Sequence, residues 1–133
     1  MKRLTGLTLL LTLLLSFPVL GNAAGKEAKI KFTENKYDFG NVPEDGGEVT
    51  HEFQFTNTGD GNLIIIDASA TCGCTKPKYP EKPIAPGKSG IISVTFNPKH
   101  RPGPIDKTVT VRTNGSPKKV RLRIVGNVVP SKR

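Results

Sequence analysis

Val49-Thr50-His51-Glu52-Phe53-Gln54-Phe55-Thr56 decides the fold class of this chain. Val49, His51, Phe53 and Phe55 fall at every second position, and Thr50, Glu52, Gln54 and Thr56 fill the gaps. Side chains of a β-strand alternate between its two faces, so this period predicts a strand with one apolar-leaning face and one polar face. The same alternation recurs on either side. Ile92, Val94 and Phe96 alternate with Ser93 and Thr95, and Val109 and Val111 with Thr108, Thr110 and Arg112. Val120, Leu122, Ile124 and Val128 share a stretch with Arg121 and Arg123. Leu63-Ile64-Ile65-Ile66 is a continuous apolar run, which predicts a strand buried on both faces. Lys29–Phe32 and Tyr37–Phe39 are weaker strand signals at the start.

The intervals carry turn chemistry. Gly59-Asp60-Gly61-Asn62 separates two strands. Pro86-Gly87-Lys88 suits a type II turn, with proline setting φ and glycine accepting a positive φ. Asn114-Gly115 is the strongest short hairpin signal in the chain. No window carries a helical period. Six or seven short strands separated by turns predict an antiparallel β-sandwich.

The length of 133 residues fits one domain. With 35% apolar, 23% charged and 6% aromatic residues, the composition excludes a large multidomain enzyme, a coiled coil and a polytopic membrane protein. Disorder is excluded by the apolar runs that recur along the whole chain.

Residues 1–23 read as a secretory signal peptide. Lys2 and Arg3 precede an uncharged stretch from Leu4 to Leu20, followed by the small residues Gly21, Ala23 and Ala24 around Asn22. Cleavage after Ala23 puts Gly21 at −3 and Ala23 at −1. The competing reading is an uncleaved anchor. Thr5, Thr8, Thr12, Ser16 and Pro18 interrupt the stretch, which is also short against the roughly 20 apolar residues of a span. No cysteine lies near the cleavage site, which argues against a lipid-anchored lipoprotein. The expectation is export to the periplasm or the medium, with residues 24–133 forming a single domain and no stable membrane span after cleavage.

Cleavage removes only the charges of Lys2 and Arg3, so the formal net charge falls from +9 to +7. A basic cytosolic protein of this size suggests nucleic acid. Export redirects that expectation to an envelope protein or an anionic envelope polymer, beside the plainer reading of a basic, well-solvated surface. No nucleic-acid partner is expected.

Phe53-Gln54-Phe55-Thr56-Asn57-Thr58-Gly59, Leu63-Ile64-Ile65 and Ala70-Thr71-Cys72-Gly73-Cys74-Thr75 form a distinctive series. Pro83-Ile84-Ala85-Pro86-Gly87-Lys88-Ser89-Gly90, Ile92-Ser93-Val94-Thr95-Phe96 and Gly126 continue it. The series resembles the exported bacterial family known as domain of unknown function fifteen seventy-three, from about Phe39 to Val128. That family is similar to the hydin-type domains of cilia and centrosomes. The resemblance implies an immunoglobulin-like antiparallel sandwich of about seven strands, and export. It implies no activity, so no catalytic residue carries over.

Cys72 and Cys74 are the only cysteines. Three chemistries compete there. A local disulfide, or a thiol pair, would only shape the loop. A redox-active pair is the second reading, because so small a ring is strained and strained disulfides are easier to reduce. No thioredoxin-like βαβ context supports it. The third is a copper or zinc site made by Cys72 and Cys74 with His51 or His100, since thiolates suit Cu(I) and Zn(II). Its spacing matches no standard zinc finger, and His51 alone reads better as a strand residue. Loops after alternate strands gather at one end of a sandwich, so all four residues are expected at one pole, rimmed by Lys76, Lys78, Lys82, Lys99 and Arg101. Such a rim would favour a thiolate or bind an anion.

No Gly-x-Ser-x-Gly, His-Glu-x-x-His or phosphate-cradling glycine loop occurs. Glu44 and Asp45 read as a solvated loop. Asn114-Gly115-Ser116 matches a glycosylation acceptor, but Pro117 directly after it makes a poor one. The functional expectation is an exported, non-catalytic binding or structural module of the bacterial cell envelope, with no cofactor. The alternative is a thiol-based metal-binding or redox protein.

Overall fold

The computed structural model describes residues 26–132. The expected signal peptide lies outside the described residues. Within them the chain is all β, with eight strands: β1 (Ile30–Phe32), β2 (Lys36–Pro43), β3 (Val49–Asn57), β4 (Ile65–Ala70), β5 (Thr75–Lys78), β6 (Ser89–Phe96), β7 (Gly103–Thr113) and β8 (Lys119–Val129). They form two four-stranded sheets, ordered β1-β3-β6-β5 and β2-β8-β7-β4.

The period-2 alternation sets which face each strand buries. Phe53 and Phe55 of β3, and Ile92, Val94 and Phe96 of β6, point inward from the first sheet. Val109 and Val111 of β7, and Leu122, Ile124 and Val128 of β8, meet them from the second. All are 1% exposed or less. Burying a side chain of this size contributes about 1.5–3 kcal/mol against leaving it in water, so this inner layer drives the fold.

Three expectations are corrected by the packing. The sandwich has eight strands, one more than the sequence signals, because Thr75–Lys78, which carries no apolar alternation, pairs with β6 as β5. Nor is it wholly antiparallel: β2 pairs with β8 in parallel, with Tyr37 opposite Ile124 and Val42 opposite Val128. The chain keeps its direction while crossing between sheets at residues 33–35, so the continuation of a strand antiparallel to β3 lies parallel to β8. Finally, Leu63–Ile66 is not buried on both faces. Leu63 and Ile65 are buried, whereas Ile64 is 41% and Ile66 52% exposed, the alternation of an edge strand.

Two turns show what tertiary contact adds. Ala85–Lys88 closes as expected, with Lys88 N–H donating to Ala85 O at 3.0 Å and Gly87 at φ +77°. The β7–β8 connection does not turn on Asn114-Gly115 alone. The ladder closes at Arg112 opposite Lys119, and Thr113 N–H donates to Lys118 O at 2.8 Å, which leaves a loop of residues 114–118. A side chain at Gly115 would stand 2.5 Å from Ala28 O. Asn114 bonds across to Ile64 N–H and Asn62 O. Both residues are there to dock neighbouring segments rather than to make a two-residue turn.

Candidate functional site

Cys72 and Cys74 lie where the chain leaves the second sheet at Ala70 and enters the first at Thr75. Both ends of this crossover are held by ladders, Ala70 opposite Val109 and Thr75 opposite Phe96. Thr75 N–H donates to Cys72 O at 3.1 Å, and Asn97 N–H donates to Cys74 O at 2.9 Å. The two sulfurs are joined in a disulfide, with Cα atoms 5.1 Å apart. Cys74 N–H points at Cys72 Sγ at 3.1 Å, and Thr75 Oγ1 lies 3.5 Å from Cys74 Sγ. The sulfurs differ in access, because Cys74 is 2% exposed and Cys72 is only half-buried.

The structure does not bring the two histidines to this pair. His51 sits on the inward face of β3, its ring stacked on Tyr37 at 3.6 Å and edge-on to Phe53 at 4.7 Å. Its Nε2 is hydrogen-bonded to Glu34 Oε1. His100 lies in the β6–β7 loop at φ +62°, in an open depression shared with Glu44, Asp45, Glu48 and Lys99. Among the described residues, no group of three His, Cys, Asp or Glu side chains converges as a metal site. The expected single pole is therefore divided: β3 begins at that end, but the ring of His51 is directed into the sandwich.

The expected basic rim is dispersed as well. Lys76 and Lys78 project outward from β5, opposite Thr95 and Ser93 of β6. Lys99 and Arg101 are in the β6–β7 loop, where Arg101 Nη1 donates to Lys99 O at 2.9 Å. Lys82 is exposed in the connection that leads to Ile84, whose partner Leu63 lies toward the opposite end. Glu44, Asp45 and Glu48 beside Lys99 make the β6–β7 end mixed in charge rather than uniformly basic.

A denser set of cations lies on the outer face of the second sheet. Lys119, Arg121 and Arg123 alternate with inward-facing residues along β8, and all three are exposed. Lys36 of β2 stands opposite Arg123, and Arg112 of β7 opposite Lys119. Two of the five are neutralised in place. Arg123 grips Asp106 through two bonds of 2.7 Å, and Arg112 grips Asp67 at 3.2 and 2.8 Å. The hydrogen bonds from Arg123 hold the Asp106 carboxyl below its ordinary pKa, against an opposing effect of desolvation. The same pairing raises the Arg123 guanidinium. Lys36, Lys119 and Arg121 form no ion pair among the described residues. The signal for this face was in the alternation of Arg121 and Arg123 with Leu122 and Ile124, but the contributions from β2 and β7 depend on pairing across the sheet.

Two stacked four-stranded sheets with this strand order define a small immunoglobulin-like, PapD-like β-sandwich. The chain belongs to the protein family of unknown function DUF1573, whose model matches residues 30–128. A comparison with curated protein sequences finds no match. The chain is similar to a protein of unknown function from Porphyromonas gingivalis, with TM-score 0.63 and 17% identity over 84% of this chain and 51% of that one. It is similar to the ASH/PapD-like domain 7 of human CEP192, with TM-score 0.63 and 11% identity over 80% of this chain and 89% of that one. The secreted serine protease VesC from Vibrio cholerae matches with TM-score 0.58 and 14% identity, over 78% of this chain and 24% of that one. At these identities the likeness is one of fold. The chain spans about half the length of the Porphyromonas protein and about a quarter of VesC. The family has no established activity, and the fold alone does not set one.

Proposed function

We propose that the protein is an exported, non-catalytic binding module of the bacterial cell envelope, and that the outer face of the β2-β8-β7-β4 sheet docks it on an anionic envelope polymer. The observation that carries this reading is Lys119 and Arg121 on one strand, which with the neighbouring Lys36 form no ion pair among the described residues, beside the Asp106-bound Arg123. Alternate residues of a strand are about 6.8 Å apart, so positions 119, 121 and 123 space basic groups regularly over roughly 14 Å, with the charge of Arg123 offset by Asp106. Thr108 and Thr110 of β7 share the same outward face and supply hydroxyls between the charges. Regular cations among short hydroxyls suit a repeating acidic polymer, such as an acidic glycan or a phosphate-linked one. The net charge of +7 left after removal of Lys2 and Arg3 steers such a partner toward the domain.

The test is binding of the purified protein to lipopolysaccharide and to teichoic acid at low and high salt. Binding is expected to weaken steeply as ionic strength rises, because exposed charges are screened beyond about 10 Å at 0.1 M salt. Arg121→Glu with Lys119→Glu should abolish it, while Lys82→Glu, away from this face, should not. Binding that ignores salt, or survives the double change, overturns the reading. Export is checked separately: protein recovered outside the cytoplasm should begin at Ala24.

A further inference from the structure

The Cys72–Cys74 disulfide has features of a reaction site rather than a staple. It closes a loop with one residue inside, so it removes little entropy from the unfolded chain. The ladders at Ala70 and Thr75 and the Asn97–Cys74 hydrogen bond already hold the crossover on both sides. The fold therefore has little use for the bond.

The sulfurs are unequal in a way that exchange chemistry needs. Cys72 is open to solvent on one side, and Cys74 is buried. Each has a donor at hand: Cys74 N–H at 3.1 Å from Cys72 Sγ, and the Thr75 hydroxyl at 3.5 Å from Cys74 Sγ. Gly73 between them needs no glycine for its backbone, since its φ is not in the left-handed region, and a side chain built on it would meet no residue other than its two neighbours within 4 Å. Position 73 is exposed, so a larger side chain can stand between the two cysteines without disturbing the packing of other residues.

We infer that Cys72–Cys74 is a thiol–disulfide exchange site, taking an external dithiol as its redox partner, with Cys72 the sulfur attacked and Cys74 the sulfur that leaves. A thiolate of the dithiol attacks Cys72 Sγ. The Cys72–Cys74 bond breaks, and its electron pair stays on Cys74 Sγ, where the Thr75 hydroxyl donates to the new thiolate. The second thiol of the partner, once deprotonated, then attacks the partner's own sulfur in the mixed disulfide and releases Cys72 as a thiolate. Both cysteines end as thiols with the two protons the dithiol gave up, and the dithiol ends as a disulfide, oxidised by two electrons. Exchange proceeds through such mixed disulfides and depends on which sulfur can be reached. This site is independent of the basic sheet face, and the two fail separately.

The experiment follows reduction of the folded full-length protein by dithiothreitol, with free thiols trapped by alkylation and read by intact mass. Three results are expected. The wild type gains two alkyl groups while its circular dichroism stays native. Gly73→Val melts as the wild type does but is reduced at least tenfold more slowly. Oxidised glutathione added to Cys74→Ser places its adduct on Cys72, whereas Cys72→Ser reacts slowly at the buried Cys74. Reduction that waits on global unfolding, a Gly73→Val rate equal to the wild type, or equal reactivity of the two single-cysteine variants overturns the assignment. Recovery of the exported protein with both thiols free and unreactive toward oxidised dithiothreitol does the same.

Discussion

Gly90 lies directly opposite Phe55 in the β3–β6 ladder, and the Phe55 ring occupies the space a side chain at position 90 would take. A Cβ there would stand 2.5 Å from Phe55 Cζ. Phe55 is fully buried and packs against Phe32 with ring centroids 5.6 Å apart, so the ring has nowhere to move. The glycine is required by packing and not by backbone conformation. Gly90→Ala is expected to destabilise the domain by about 1–3 kcal/mol, the usual cost of overfilling a packed core. Urea denaturation measures it, and an unchanged midpoint would refute the steric argument.

Asn57 is the second point at which one residue holds several segments. It is fully buried at the end of β3. Its Nδ2 donates to Gly61 O at 2.8 Å and Ile84 O at 2.9 Å, and its Oδ1 accepts from Gly59 N–H at 3.0 Å and Lys29 N–H at 3.2 Å. Asn57→Ala leaves all four backbone groups without this partner. At about 1–3 kcal/mol for a buried group left unsatisfied, the loss should exceed about 3 kcal/mol. Asn57→Asp should not restore stability, because a carboxylate cannot donate to the two carbonyls. Denaturation midpoints of both variants check this.

Removing the disulfide should cost far less. In the chain-entropy model, a loop this short is worth at most about 2 kcal/mol. The Cys72→Ser/Cys74→Ser double variant is expected to remain folded, with a smaller shift in urea midpoint than Asn57→Ala. A double variant that fails to fold would make the bond a staple after all.

Asp106 gives the domain a pH dependence of known sign. Pairing with Arg123 lowers its folded pKa below the ordinary 3.8. The stability it contributes is therefore fully present above the unfolded value and is lost as pH falls through the folded one. Asp106→Asn should be the less stable protein at neutral pH, and its deficit should shrink below about pH 4. Denaturation series at neutral pH and at acid pH test this. A deficit that stays constant into acid would show that the ion pair is not its source.

Much of the architecture was legible before folding. The alternation in Val49–Thr56, Ile92–Phe96 and Leu122–Ile124 depends on neighbours two positions away, and these strands bury the faces their patterns indicate. Pro86-Gly87 made its turn because proline and glycine carry their own backbone preferences. The run Leu63–Ile66 misled, since four apolar residues in a row do not say whether the outer pair will be covered; at this sheet edge Ile64 and Ile66 are not. The site was read less well. The cysteine pair stood out by its spacing, whereas the gathering of His51, His100 and the five basic residues at one pole assumed that nearby loops also aim their side chains together.

The sequence by itself determined that this chain forms strands, which residues of most strands turn inward, and where one turn must fall. Those properties are local, set by side-chain alternation and by the torsions of proline and glycine. Only the tertiary structure decided that β2 runs parallel to β8, that the His51 ring stacks on Tyr37, and that Gly90 and Gly115 are glycines for want of space. It also joined Lys36 to Lys119, Arg121 and Arg123 on one face. Each of these rests on contact between segments far apart in the chain, and such contacts exist only once the two sheets have closed on their common core.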